Sequence, residues 1–421
     1  MKKILLSLLF VALALVVTAI VAVVLIVKIV LAPATGEWSS RVRVGPVAFD
    51  VGVPTAIRVA TAPWFAPRLD GHSLDTRYGP VRFAWREAGQ TLELACAPCS
   101  TTVPELGAEP IRLERLLITA RRDVAVLNGT IEATRDGAPP LRGRWDGRLS
   151  QKALQLDIDM AASPIAQWYA IFVPALPELQ RARIGGTLGL KAQVTLPADS
   201  FTLQPVLSQF TVEGLGTEAM LNARTSCGPS ARLSAESWLA RAVIAAEDQR
   251  FFQHPGYDLT ELGAAMAANQ KTGQVERGGS TLTQQLVKLL VTGSERTGER
   301  KLRELLYAEE MEQTLGKARI LQLYLDNAPW GGETCGAEAA AKRYFKRSAP
   351  RLEPAQAVWL AAMLHNPSAE VAQWQRSGNI DAARAKWVAE GIRPILRGQR
   401  ESLLKAVANA RFAAPGDAAA R

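Results

Sequence analysis

The sequence predicts an α+β protein with an N-terminal transmembrane helix, a β-rich domain and a mainly α-helical domain. Three observations predict it. The chain begins with a long uncharged apolar run, continues with apolar and polar residues in alternation, and changes to helical periodicity near Leu221. Its 421 residues are enough for two domains beside an anchor.

The first element is a predicted membrane anchor over residues 1–32. Lys2 and Lys3 precede a run from Ile4 to Val27 that contains no charge. A helix needs roughly 20 apolar residues to cross a bilayer, whereas signal peptides have apolar cores of about 7–15. Although Ala32-Pro33-Ala34 resembles a cleavage site, the length favours an uncleaved anchor, with the rest of the chain on the far side of the membrane.

Residues 33–222 are predicted to form the β-rich domain, outside the cytoplasm. In "ALQLDIDM", Leu154, Leu156, Ile158 and Met160 alternate with polar residues, and residues 188–196 repeat the pattern. Strict alternation is typical of half-buried antiparallel strands. We expect turns at Asp136-Gly137 and at Gly185-Gly186, and one helix around 165–173.

Residues 223–395 are predicted to form the helical domain, followed by a basic tail over 396–421. From Arg376 onward there are nine Lys and Arg against four Asp and Glu. This surplus is too diffuse for nucleic-acid binding, so it indicates either anionic lipid headgroups or a solvated tail. The predicted helices are Glu236–Glu247, Leu259–Asn269, Thr281–Leu290, Arg300–Gln313, Lys317–Tyr324 and Pro354–Leu364.

Four cysteines form two candidate pairs. The flanks of Cys96 and Cys99 indicate a strand that runs into a loop, which favours a local disulfide or two thiols over redox chemistry or metal binding. Cys227 and Cys335 are candidates for a long-range bridge, because disulfides are stable outside the cytoplasm. With only three His residues, a zinc site is not expected.

The stretch "VIAAEDQRFFQHPG" places Glu247 where an apolar helix leaves the core. Partial burial would raise the pKa of this carboxyl toward that of a useful base, and a nearby Asp248 would raise it further. Phe251 and Phe252 would supply an apolar wall. A helix end with an ion pair explains the same residues equally well.

Two further stretches combine polar and basic side chains. In "GGSTLTQQLVKLL", a Gly-Gly turn precedes a helix that Ser280 or Thr281 can cap, with Lys288 inward. In "SERTGERKLRELLYAEEMEQ", positive residues crowd a helix N-terminus, where Asp and Glu are preferred, so the pattern indicates an anionic ligand. Routine capping and exposed ion pairs along the helix are the competing interpretations.

Together these stretches resemble the motifs of family 51 of the glycosyltransferases, the peptidoglycan glycosyltransferases. "EDQRFFQHPG", "GGSTLTQQLVK" and "RKLRELLYAEEME" resemble its first three motifs, and "ILQLYLDNAPWG" and "AAKRYFKRSAPRLEPAQAVWLAAMLHNP" its fourth motif and the segment after it. The similarity covers about residues 230–370 in family order. It implies a lysozyme-like helical domain that polymerises lipid II and releases polyprenyl pyrophosphate.

The resemblance also implies roles for individual residues. Glu247 corresponds to the catalytic base, and Glu304 to a second glutamate that orients the reacting groups or a divalent ion, Mg²⁺ or Mn²⁺. We expect a single-pass protein of the inner membrane with its catalytic domain in the periplasm. Its partners would be lipid II, the growing glycan and envelope or cell-wall synthesis proteins bound by residues 41–222. The expected substrate-binding residues are Asp248, Phe252, His254, Ser280, Thr281, Gln284, Gln285, Lys288, Arg296, Arg300 and Lys301.

Some positions depart from the family pattern. Leu289, Gln322 and Asp326 stand where the motifs have Asn, Glu and Asn, Ala264 where an Arg is common, and Lys346 where a Gly is usual. They leave the expected catalytic residues intact. Because no penicillin-binding motifs occur in order, we expect a glycosyltransferase without transpeptidase activity. A lytic hydrolase and an envelope adaptor with an inactive transferase are the alternatives, and the cationic residues argue against the hydrolase.

Overall fold

The computed structural model describes residues 28–44, 47–101, 110–198, 200–272, 278–293 and 298–415. Within these ranges the chain combines α-helices and β-strands, as predicted, and divides into two compact units. The predicted apolar span, Ile4 to Val27, lies outside the described residues. Among the described residues, no helix has both the length and the apolar character that crossing a bilayer requires.

The first unit comprises the chain as far as Thr101, Ile111–Phe172 and Thr187–Ser208. Most of it is one nine-stranded sheet in the order β13-β12-β11-β10-β9-β8-β5-β4-β3, and its neighbouring strands from β12 to β3 run antiparallel. Two strand pairs, β1-β2 and β6-β7, stand beside it. The strands are β1 Ser39–Val44, β2 Val47–Gly52, β3 Ser73–Thr76, β4 Gly79–Arg86, β5 Thr91–Cys96, β6 Cys99–Thr101, β7 Ile111–Leu113, β8 Arg115–Asp123, β9 Val126–Arg135, β10 Ala138–Leu149, β11 Leu154–Pro164, β12 Arg183–Leu196 and β13 Ser200–Glu213.

Two helices of this unit cover the sheet. Helix α1, Val53–Ala60, packs Ile57 against a cluster that includes Leu127 and Trp145. Helix α2, Ile165–Phe172, buries Trp168 and Ile171 in a second cluster on β9 to β11. The alternating strands and the helix near 165 are therefore confirmed.

The two predicted turns have different outcomes. Gly137 lies between β9 and β10 with a φ of +79°, so that turn is confirmed. The turn predicted at Gly185-Gly186 is wrong, because both residues lie inside β12. A Cβ at Gly185 would come within 2.4 Å of the Thr211 side chain, so this glycine allows a close approach between strands rather than a change of direction.

The second unit contains Val173–Gly186 and the chain from Gln209 onward, so it includes the ends of β12 and β13 as well as the helices. The six predicted helices are confirmed within a few residues at their ends. Four more helices form, including α12 within the predicted basic tail. The helices are α3 Trp238–Glu247, α4 Leu259–Thr272, α5 Leu282–Val287, α6 Gly298–Thr314, α7 Gly316–Asn327, α8 Ala337–Phe345, α9 Pro354–Met363, α10 Pro367–Ser377, α11 Ala382–Gly391 and α12 Arg397–Asn409.

Helix α3 is the centre of this unit. It packs against α9 and α11, and most of its side chains are buried. Both candidate cysteine pairs are disulfides, Cys96–Cys99 in the first unit and Cys227–Cys335 in the second.

Candidate functional site

Glu247 is the last residue of α3, as the sequence predicted. Ser237 caps the start of this helix by accepting a hydrogen bond from the Ala240 N–H, and the alanines before Glu247 lie in the core. The Glu247 side chain is only 12% exposed. The helix therefore carries a carboxylate from the core to a position that is mostly closed to water.

Two side chains hold the Glu247 carboxylate. The Gln285 amide nitrogen donates to Oε2 over 3.1 Å, and Nη2 of Arg384 lies 3.4 Å from Oε1. Arg384 Nη2 also donates to the Ala246 carbonyl over 2.9 Å. The carboxylate thus has a fixed orientation set by α5 and α11.

Burial raises the pKa of Glu247, because the charged form loses hydration. The hydrogen bond from Gln285 and the charges of Arg384 and His365 act against this, while Asp248 adds a smaller upward contribution. The expected direction is confirmed, with burial as the main cause. A carboxylate with a raised pKa is a stronger base and takes a proton more readily.

Gln285 is held in turn by Tyr324, whose hydroxyl donates to the amide oxygen over 3.0 Å. Both polar ends of Gln285 are therefore occupied, and its role here is to position Glu247. Tyr324 and Arg384 were missed by sequence reasoning. Tyr324 lies within a quoted motif and could have been found there, whereas Arg384 lies beyond the similar segment and only the fold brings it to Glu247.

Asp248 and His254 form a buried pair next to Glu247. Nε2 of His254 donates to Asp248 over 2.9 Å, and Asp248 also accepts the Leu282 N–H over 2.9 Å. These bonds tie the loop after α3 to the first residue of α5. Of the two phenylalanines between Asp248 and His254, Phe251 is fully buried and Phe252 is 57% exposed.

Thr281 and Gln284 stabilise the first turn of α5. Their side chains form a reciprocal capping box, and the Thr281 hydroxyl also donates to the Gly256 carbonyl over 2.7 Å. Gly256 has a φ of +85°, and a Cβ there would lie 2.8 Å from the Ala308 carbonyl, so glycine alone fits. The motif glycine and threonine thereby fix where α5 begins.

The cationic residues surround the second glutamate. Glu304 is 1% exposed and forms ion pairs with Arg300 and with Lys301, the latter at 3.0 Å. Lys301 also donates to the Ser280 hydroxyl over 2.5 Å. Arg300 and Lys301 are thus both held by one buried carboxylate near the start of α6.

The other two predicted pyrophosphate-binding cations are Arg296 and Lys288. Arg296 lies outside the described residues. Lys288 is exposed, although its backbone still follows the helical geometry of α5 and its N–H donates to the Gln284 carbonyl. The π-helix Lys288–Thr292 begins at this residue, so the regular helical faces end after it. The predicted inward orientation of Lys288 is therefore wrong. Leu289 is exposed as well.

A known family model matches part of this helical unit. Residues 226–393 match the family model described as Transglycosylase. Biosynthetic peptidoglycan transglycosylases from Alcanivorax borkumensis and Thiobacillus denitrificans are 48% and 46% identical to the chain over 131 and 129 residues. That from Cupriavidus pinatubonensis is 47% identical over 129 residues.

These alignments cover 31% of this chain and 54%, 56% and 51% of the three relatives, so the chain spans about half the length of the curated relatives it matches. Glu247, Gln285, Glu304 and Arg384 all lie inside the matched range. Between residues 226 and 393, the chain is therefore similar to the transglycosylase family.

Proposed function

We propose that this protein is a peptidoglycan glycosyltransferase, without transpeptidase activity, that polymerises lipid II into β-1,4-linked glycan and releases polyprenyl pyrophosphate. The observation that carries the proposal is the state of the Glu247 carboxyl. It is buried, its pKa is raised, and Gln285 and Arg384 hold it within the segment that matches the transglycosylase model. A base of this kind suits the activation of a sugar hydroxyl, whose proton must leave as the oxygen attacks.

In the proposed reaction, Glu247 takes the proton from the 4-hydroxyl of the acceptor GlcNAc. That oxygen forms a bond to C1 of the donor MurNAc while the bond from C1 to the pyrophosphate oxygen breaks, so the configuration inverts from α to β. The electron pair of the broken bond leaves with the polyprenyl pyrophosphate. Gln285 and Arg384 keep the carboxylate oriented throughout.

The leaving group gains negative charge as the bond breaks, and fixed cations stabilise that charge. We propose that Arg300 and Lys301 bind the pyrophosphate, together with Lys288 and Arg296. Glu304 would hold Arg300 and Lys301 in position. This arrangement supports the pyrophosphate assignment because both cations are ordered by one buried carboxylate.

The remaining predicted contacts have narrower proposed roles. Ser280 would assist Lys301, and Phe252 would offer an apolar face to the substrate. Thr281, Gln284, Asp248 and His254 would act through the start of α5, since their polar groups bind one another or the backbone.

A divalent cation, Mg²⁺ or Mn²⁺, remains a proposal drawn from the family resemblance. In the described part of the chain, no three His, Cys, Asp or Glu side chains gather in a way that could hold a metal ion. These residues do not fit a resident metal site. Any such ion would therefore arrive with the pyrophosphate.

We further propose that residues 1–32 anchor the protein as a single span in the inner membrane, with both units in the periplasm. An oily substrate supports this placement, since an anchored enzyme stays on the surface where lipid II lies. Residues 41–222 would bind proteins of the envelope or of cell-wall synthesis.

The test is polymerisation of labelled lipid II by the purified full chain and by Glu247→Gln, with Glu401→Gln as a matched control. Glu401 is an exposed residue of α12 that pairs with Arg397, and it makes none of the contacts described for Glu247. Polymer is expected from the wild type and the control but not from Glu247→Gln. Absence of polymer from all three, or polymer from all three, would overturn the proposal.

A further inference from the structure

The turn between β8 and β9 in the first unit has an unusual residue. Asp123 pairs with Val126, so Val124 and Ala125 form a two-residue hairpin turn. The φ of Val124 is +52°, a region that β-branched residues avoid, and such turns favour Asn-Gly or Asp-Gly. The Val124 side chain is also 80% exposed. Neither backbone preference nor burial explains a valine at this place.

Further exposed apolar side chains lie near this turn. Val126 is 45% exposed and Trp64 is 63% exposed. The Arg122 guanidinium donates to the Val124 carbonyl and to the Thr61 hydroxyl, each over 2.7 Å, and Trp64 follows Thr61 by three residues. Arg122 therefore holds the end of α1 and the Val124 turn together.

The chain that follows the predicted anchor reaches the same end of the sheet. The Trp38 N–H donates to the Gln151 carbonyl in the turn between β10 and β11, and the Leu149 N–H donates to the Ala125 carbonyl in the Val124 turn. Buried Glu37 accepts hydrogen bonds from the Ala34 N–H and from Thr55 at the start of α1. Residues 34–38 are thus fixed beside the exposed turn.

Basic side chains accompany these apolar ones. Arg148 and Lys152 are exposed, and Arg148 lies directly opposite Val126 in the sheet register. Val126 and Arg148 face away from α1, because the neighbouring Leu127 packs with Ile57 of that helix, so exposed side chains occur on both faces of this end of the sheet. Lys152 belongs to the turn that binds the Trp38 N–H. Membrane interfaces favour tryptophan together with basic residues, and anionic headgroups attract the basic residues.

We propose that this end of the sheet, a surface formed by Trp64, Val124, Val126, Arg148 and Lys152, rests on a bilayer that contains anionic lipid. The inference depends on the proposed anchor, because the anchor brings this end of the sheet to the membrane. It goes beyond the proposed transferase reaction, since it gives the first unit a lipid contact of its own. That contact would restrict the orientation of the first unit relative to the bilayer.

The experiment uses the full chain reconstituted in vesicles of phosphatidylethanolamine and phosphatidylglycerol. A photoreactive benzophenone residue replaces Val124, and in a control protein it replaces Val206, which is 57% exposed in the middle of β13. After flotation and illumination, we expect several-fold more lipid adduct at position 124 than at position 206. Vesicles of phosphatidylethanolamine and phosphatidylcholine alone should give less adduct at position 124.

The outcomes distinguish a failure of the proposed anchor from a failure of the proposed lipid contact. A chain that does not float with the vesicles overturns both. A chain that floats but gives no more lipid adduct at position 124 than at position 206 overturns the surface alone, and adducts to another protein chain would assign it to a protein partner.

A second variant tests the turn without harming the fold. Val124→Asn with Ala125→Gly creates the favoured turn sequence, so the unfolding temperature should not fall. With the benzophenone residue now at position 126, lipid adducts should drop several-fold compared with the same probe beside Val124. Unchanged adducts would overturn the role of Val124.

Discussion

At Glu247, burial and polar contacts act on the same carboxyl in opposite directions. Burial raises its pKa, while Gln285 and Arg384 lower it, and the upward effect is the larger. Because a general base must be ionised to work, activity should fall as the pH drops through the pKa of Glu247. The midpoint of the acid limb of the pH–activity profile should therefore lie above 4.5, the ordinary pKa of a glutamate.

Arg384→Gln removes a charge that favours the ionised form of Glu247. The acid limb of kcat/KM for lipid II should then move to higher pH, and a large part of the lost activity should return in alkaline buffer. Arg384→Lys keeps the charge and should shift the limb less. An equal loss at every pH, with no movement of the limb, would contradict the assignment of Arg384 as a positioning residue for Glu247.

Glu247→Gln should make the protein inactive but more stable at neutral pH. The folded-state pKa of Glu247 is raised, so its favourable contribution to stability is fully present below the unfolded-state pKa. That contribution is lost as the pH rises through the folded-state pKa. A neutral amide avoids this loss. The unfolding temperature of the variant relative to that of the wild type should therefore rise as the pH increases from acid to neutral. A variant that unfolds at a lower temperature than the wild type at neutral pH would refute the account.

At the scale of elements, hydrophobic periodicity located the helix near 165, six helices of the second unit and two strand segments, around residues 154–160 and 188–196. β11 follows the alternation of Leu154 to Met160, and α3 ends at Glu247, because in both the apolar positions face a core. The π-helix at Lys288–Thr292 was not predictable in this way. Its i, i+5 hydrogen bond from Gly293 to the Lys288 carbonyl changes the angle between the residues after Lys288, so Leu289 and Leu290 leave the faces that a regular α-helix would give them.

The candidate site was predictable as far as its motifs extended. Glu247 and Glu304 followed from motif position and burial, whereas Arg384 reaches Glu247 across 137 residues of sequence, through the packing of α11 on α3. Two departures also acquire a physical role from the fold. Gln322 donates to the Ser230 hydroxyl over 3.3 Å, and Asp326 accepts the Ala231 N–H over 3.0 Å, so both bind the segment before α3.

The start of α5 offers a test of an element that supports the site. Thr281→Ala removes both the cap and the hydrogen bond to Gly256, at a cost of about 1–2 kcal/mol. Because α5 carries Gln285 to Glu247, turnover of lipid II should fall as well. Thr281→Ser should restore both properties.

Asn366→Ala is the matched control, since Asn366 caps α10 by accepting the Ala369 N–H. It should lower the free energy of unfolding by about 1 kcal/mol and leave turnover unchanged. Denaturant unfolding together with the polymerisation rate measures both variants. Equal effects of the two substitutions on turnover would show that α5 has no special connection to the site.

On the scale of the whole molecule, each compact unit has its own core and its own disulfide. Cys96 and Cys99 are three residues apart, whereas Cys227 and Cys335 are separated by 108 residues. The second bond joins the segment before α3 to the loop before α8. A crosslink stabilises mainly by restricting the unfolded chain, and the effect grows with the length of the loop that it closes.

Replacing both Cys227 and Cys335 by Ala should therefore destabilise the helical unit strongly, by up to about 5 kcal/mol on the chain-entropy estimate, compared with about 2 kcal/mol for Cys96→Ala with Cys99→Ala. Each pair is changed together so that no free thiol remains. Denaturant unfolding of both double variants, followed by tryptophan fluorescence and repeated on the reduced wild type, measures the difference. The order follows from loop length, so a larger loss from the Cys96 and Cys99 replacements would mean that native contacts around those residues, and not restriction of the unfolded chain, determine what the disulfides contribute.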